Sequence, residues 1–138
     1  MIYSYTNSNQ TIATNGKLVY ATDAIKTGCT VQHTPGGTTF NLVKPGYYYV
    51  TVTAVGAASD TATTPLILQL FNGSNAVAGA TASELSTGTS DIVDLTINTI
   101  IKVCPSCCAI DNSAAISVVN TGIGAIYSNT TITITKIA

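Results

Sequence analysis

Between Gly46 and Gly56 the chain reads Tyr-Tyr-Tyr-Val-Thr-Val-Thr-Ala-Val, entered through Lys44-Pro45 and bounded by glycine at both ends. Tyr, Val and Thr pack well on a pleated surface and lose side-chain freedom in a helix, so the run predicts a strand. A period of two puts Tyr48, Val50, Val52 and Ala54 on one face and Tyr47, Tyr49 and Val55 on the other. Both faces are substantially apolar. Such a strand is expected inside a sandwich, with its second face sealed by another layer or by another subunit.

Other segments repeat the pattern. Leu66, Leu68 and Leu70 form a wholly apolar face in Leu66 to Phe71, and the Asn72-Gly73 that follows predicts a hairpin turn. Thr131, Thr133 and Thr135 alternate with Ile132 and Ile134 near the end of the chain, which predicts a half-buried closing strand. Turn signals recur at Asn15-Gly16, Pro35-Gly36-Gly37, Pro45-Gly46, Asn72-Gly73, Gly88, Pro105, Gly122 and Gly124. The runs between them predict strands over Leu18 to Ile25, Cys29 to His33, Thr38 to Val43, Tyr47 to Val55, Leu66 to Phe71, Ala76 to Ala80, Ile92 to Val103, Ala115 to Asn120 and Thr130 to Ile137. The small, polar stretch Ala57 to Thr64 reads as a mobile surface loop. The expectation is an all-β, antiparallel two-sheet sandwich forming one domain over residues 1–138, with 1–16 as an N-terminal arm or edge segment.

Charge narrows the function classes. Only 8% of residues are charged, the net charge is −1, and the five basic residues are Lys17, Lys26, Lys44, Lys102 and Lys136, scattered singly and without arginine. A nucleic-acid surface needs clustered cations, so no nucleic-acid partner is expected. No run approaches the ~20 apolar residues of a spanning helix, and no membrane partner is expected. Met1 to Gln10 has neither a basic start nor an apolar core, so no secretory signal is expected. A surface poor in Lys and Glu resembles one that a protein buries against copies of itself.

Gly46-Tyr47-Tyr48-Tyr49-Val50, the hairpin Leu68 to Gly73 with Ala78-Gly79-Ala80-Thr81, the strand Ala115 to Asn120 and the terminal Ile132 to Ile137 occur in an order that resembles the trimeric jelly-roll domains of the tumour-necrosis-factor and complement-C1q superfamily. Gly28-Cys29-Thr30-Val31-Gln32-His33, Val103-Cys104-Pro105-Ser106-Cys107-Cys108 and Val118-Val119-Asn120-Thr121 are similar to segments of small virion proteins of tailed phages that infect gut bacteria. The first resemblance implies a TNF/C1q-like jelly-roll homotrimer. Tyr47, Tyr49 and Val55 are its candidate interface residues, the alternative being that they lie under a loop within one subunit. The second implies a head-fibre or capsid-decoration protein, with itself and other virion proteins as partners. Those relatives often carry basic residues in their middle strands; this chain lacks them, and no site residue transfers.

Cysteine is the one chemical constellation. Cys104-x-x-Cys107 has a zinc-like spacing, but adjacent Cys107 and Cys108 in an extended segment point to opposite faces, so no metal is expected. A disulfide, Cys29 with Cys107 or Cys108 or Cys104 with Cys107, and buried free thiols both remain open. A nucleophile elbow is absent, His33 lies beside Pro35-Gly36-Gly37 without a local nucleophile, and Asp91, Asp94 and Glu84 read as solvated loop carboxylates. Sequons at Asn9, Asn72 and Asn129 read as asparagine turn chemistry. The expectation is a non-enzymatic structural protein without cofactor, made in a bacterial host's cytoplasm and carried in a virion, or else located on a bacterial cell or spore surface. A carbohydrate- or receptor-binding knob, with Tyr127 and Asn129 as its ligand residues, is the alternative.

Overall fold

Residues 1–105 and 114–138 are described by the computed structural model. They form strands β1 (Ile2–Thr6), β2 (Gln10–Ile12), β3 (Gly16–Lys17), β4 (Thr22–Lys26), β5 (Val31–Gln32), β6 (Phe40–Leu42), β7 (Gly46–Ala58), β8 (Leu66–Asn72), β9 (Asn75–Glu84), β10 (Val93–Val103), β11 (Ala114–Asn120) and β12 (Ala125–Lys136). Among the described residues there is no helix, hence none long and apolar enough to cross a membrane. The first sheet runs β10-β7-β12-β1-β4, with β2 also paired to β12; the second runs β5-β6-β11-β8-β9, with β3 also paired to β11. Every pairing is antiparallel.

The alternation decides what lies between the sheets. Tyr48, Val50, Val52 and Ala54 of β7 and Ile132 and Ile134 of β12 are fully buried, facing Phe40, Leu42, Leu66, Leu68, Leu70, Ile116 and Val118 of the second sheet. At ~25 cal/mol per Å² of apolar surface, each such side chain contributes roughly 1.5–3 kcal/mol before chain entropy is charged against it. Tyr48 reaches the edge of this layer, where its hydroxyl donates to the Lys44 carbonyl at 2.7 Å.

Several boundaries differ from those the sequence predicts. Ala57 and Ala58 are buried strand residues, so the loop begins only at Ser59. Small side chains there permit a close approach: a Cβ on Gly56 would meet Tyr127 Cδ1 at 2.7 Å and the Ile126 carbonyl at 2.8 Å. The hairpin between β8 and β9 turns through Gly73-Ser74 rather than Asn72-Gly73. Asn72 pairs with Asn75, and Gly73 takes the positive φ of 61° that a first turn position demands. The segment predicted as one strand from Leu18 to Ile25 is interrupted, because Leu18 and Tyr20 both turn into the core while only Thr22–Lys26 pairs with β1. Within residues 1–16, β1 sits inside the first sheet, flanked by β12 and β4.

The core also holds phenols. Burial pushes the Tyr20 and Tyr127 hydroxyls far above the usual tyrosine range. Unfolded tyrosine ionises near pH 10, whereas these groups remain neutral in the fold, so their contribution is intact below about pH 10 and is lost as pH rises beyond it. Denaturant titrations from pH 8 to 11 should show unfolding free energy falling above about pH 10, with a shallower fall in Tyr20→Phe; identical slopes in both proteins would contradict this role.

Candidate functional site

Two surfaces carry enough organised chemistry to matter. The first is the outer face of the first sheet. Register places Asn98, Thr51, Thr133, Tyr3 and Ile25 in one row across β10, β7, β12, β1 and β4. The next row is Thr96, Thr53, Thr131, Tyr5 and Thr22, and towards the other end Ile100, Tyr49 and Thr135 align. A threonine ladder thus occupies the middle, with tyrosines on either side of it. Tyr47 and Tyr49 are 43% and 42% exposed, Ile25 45% and Ile100 57%. Tyr3 and Tyr5 stand with ring centroids 6.2 Å apart.

Charge is confined to the margin of this face. Asp94 and Lys102 lie on the edge strand β10, where Lys102 Nζ sits 5.8 Å from the Tyr47 ring centre, while the outward positions of β1, β7 and β12 carry none. Of the expected interface residues, Tyr47 and Tyr49 are open to solvent among the described residues, and Val55 is half-buried on the same face. The sequence does not single out Tyr3, Tyr5, Ile25 and Ile100, because their shared face exists only once β1, β4 and β10 are placed in one sheet.

The second surface lies at the side of the sandwich, where β4 meets the β5–β6 hairpin. The Ser4 hydroxyl donates to Asp23 Oδ1 at 2.6 Å, and the same oxygen lies 2.6 Å from His33 Nδ1. His33 Nε2 faces the Gly37 carbonyl at 3.1 Å, and its ring stacks on Phe40 at 4.0 Å with planes 11° apart. Both ring nitrogens face acceptors, so a doubly protonated ring serves both and a singly protonated ring serves one. Ser4 donates to Asp23 and not to His33, which leaves no ring nitrogen free to activate a nucleophile. The network connects β1 and β4 of the first sheet to the β5–β6 segment of the second.

Above it opens a cleft of about 630 Å³ lined by Lys26, Cys29, Gln32, Thr34, Thr39 and Asn41, among others. Lys26 Nζ donates to the His33 carbonyl at 3.0 Å. Gln32 and Asn41 are cross-strand partners, which sets their amides side by side.

The remaining expected residues do not converge. Tyr127 is a fully buried residue of β12 and not a loop residue; its hydroxyl donates to Asn120 Oδ1 at 3.4 Å, so its ring is unavailable to stack on a sugar. Asn129, two positions on, is exposed beside a register shift in the same strand. Cys29 and Cys104 are exposed rather than buried thiols and are not bonded to each other. Cys107 and Cys108 lie outside the described residues. Asp91 is a half-buried loop residue whose carboxylate accepts from the Thr87 backbone at 2.9 Å, and Asp94 belongs to a strand rather than a loop. Among the described residues no three His, Cys, Asp or Glu side chains gather to hold a metal ion.

No family model matches the chain, and no curated protein matches it in sequence. Solved structures do resemble it. Eiger TNF from S. frugiperda superposes with a TM-score of 0.70 at 14% identity, over 99% of this chain and 92% of that one. Murine APRIL gives 0.64 at 8% identity over 99% and 98%, and PRD1 vertex protein P5 gives 0.60 at 18% over 99% and 96%. The chain has the TNF-like jelly-roll fold; at these identities the likeness is one of fold.

Asp23 Oδ1 accepts from Ser4 and faces His33 Nδ1, so its removal leaves two buried polar groups without that partner. Asp23→Ala should therefore cost about 2–3 kcal/mol in urea unfolding and Ser4→Ala about 1 kcal/mol. A loss below about 0.5 kcal/mol for Asp23→Ala would show that the pair does not tie the sheets together.

Proposed function

We propose that the protein is a non-enzymatic structural component of a phage particle, a head-fibre or capsid-decoration protein that assembles as a homotrimer. One observation carries the reading: the outer face of the first sheet is broad, aromatic-flanked and free of charge along its three central strands. A monomer gains nothing by leaving tyrosines and isoleucines in water. Three copies turning this face inward remove apolar area at ~25 cal/mol per Å² and desolvate no charge along the three central strands. The threonines suit the same task, since their hydroxyls pair across a subunit boundary or with trapped water and their methyl groups pack.

Similarity to a phage vertex protein supports the particle setting, and the TNF-like fold supports the threefold arrangement. The absence of free catalytic geometry around His33, whose ring nitrogens face Asp23 and Gly37, supports a role without chemistry. The knob reading loses Tyr127, its aromatic residue, to the core.

Light scattering at micromolar concentration should return three times the 14.1 kDa chain mass. Tyr49→Asp and Ile100→Asp each set a charge into the proposed contact and should return a single-chain mass with the fold retained by circular dichroism. A wild-type monomer would overturn the trimer, and antibodies failing to label intact particles would overturn the virion assignment.

A further inference from the structure

The cleft beside β4 is lined by Lys26 and the β5–β6 segment and not by the outward rows of the first sheet, and the buried network under it is out of keeping with a chain that is 8% charged. We propose that this cleft binds a saccharide bearing a carboxylate.

Its chemistry selects the ligand class. Gln32 and Asn41 present adjacent amides, each able to donate and accept, and Thr34, Thr38 and Thr39 add hydroxyls. A polyhydroxylated ring uses such groups in pairs. The apolar lining residue Val31 is 2% exposed, so the cleft offers no pocket for the side chains of a peptide.

Lys26 is the one exposed charge on the lining, tethered at the cleft by its bond to the His33 carbonyl. Asp23 does not line the cleft, and its Oδ1 is engaged by Ser4 and His33 below. A single ammonium matches one carboxylate, whereas a ligand dense in phosphates leaves most of its charge unmatched. The imidazole, stacked on Phe40 with its nitrogens facing Asp23 and Gly37, gives the cleft a packed floor, so little ordering is needed when a ligand enters. Lys26 stands opposite the buried Ile2 whereas Ile25 stands opposite the outward Tyr3, so the cation of the cleft lies on the other side of β4 from the outer face.

Calorimetric titration of the full chain with matched oligosaccharides tests this, using terminal sialic or glucuronic acid in one series and the neutral core in the other. The acid-bearing series should bind at least tenfold more tightly, and raising NaCl from 50 to 500 mM should narrow the gap. Lys26→Gln should abolish the preference, Lys26→Arg should keep it, and Gln32→Ala with Asn41→Ala should weaken both series. Solution mass and melting temperature, followed in parallel, identify any variant that has lost its fold. Absence of binding at millimolar acidic saccharide, equal binding of neutral saccharide, or a preference surviving in Lys26→Gln overturns the proposal. None of these outcomes alters the solution mass, so the assembly reading stands or falls separately.

Discussion

The rest of the molecule depends on β7 being paired along both edges, to β10 from Gly46 to Gly56 and to β12 from Tyr48 to Ala58. Because side chains alternate, a slip of one residue would send Tyr47, Thr51 and Thr53 into the core and expose Tyr48, Val50 and Val52. The native register buries the aliphatic set and leaves Thr51 and Thr53 on the outer face. This asymmetry fixes β10 and β12 relative to β7, and through β12 it fixes β1 and then β4. The same choice that builds the core also writes the outer face.

That face explains a feature of composition that looks odd in isolation. A chain with 46% hydrophobic residues and few charges ordinarily invites non-specific association. Here Ile25, Tyr47, Tyr49 and Ile100 share the outer face of one sheet, with Asp94 and Lys102 at its β10 margin, while Met1, Leu85, Ile92 and Ile137 are exposed outside the strands. A bounded patch of this kind favours one mode of self-association over many, because partners that overrun it must bury charge.

The strands were legible where period-two alternation was strong and long. Tyr48, Val50, Val52 and Ala54 turn inward as the residues of β7 require, and β8, β10 and β11 begin and end within a residue of where Leu66 to Phe71, Ile92 to Val103 and Ala115 to Asn120 place them. Tyr127 was misread because its neighbours Ser128 and Asn129 look like turn residues, whereas a register shift absorbs them within β12. Ala57 and Ala58 look like loop residues for their small size, yet β7 continues through them paired with β12, which approaches closely where Gly56 carries no Cβ. The Ser4, Asp23 and His33 cluster left no local trace: its members are 19 and 10 residues apart, and the fold alone brings them together.

The position of that cluster follows from the lengths of the strands around it. β5 has two residues and β6 three, too few for ladder hydrogen bonds and burial to hold them firmly, and β4 is largely exposed on the margin of its sheet. Elsewhere the two layers are joined by aliphatic packing that tolerates small adjustments. At this edge there is little aliphatic area to use, and a polar network of directed bonds, seated on the Phe40 ring, specifies one arrangement instead. Such a network costs more desolvation than apolar packing would, and its directionality yields a rigid rim with ordered amides and hydroxyls. Where a sandwich needs only to be stable, longer strands meet the need at lower cost; a short, polar, rigid edge is the arrangement that holds a surface in fixed geometry.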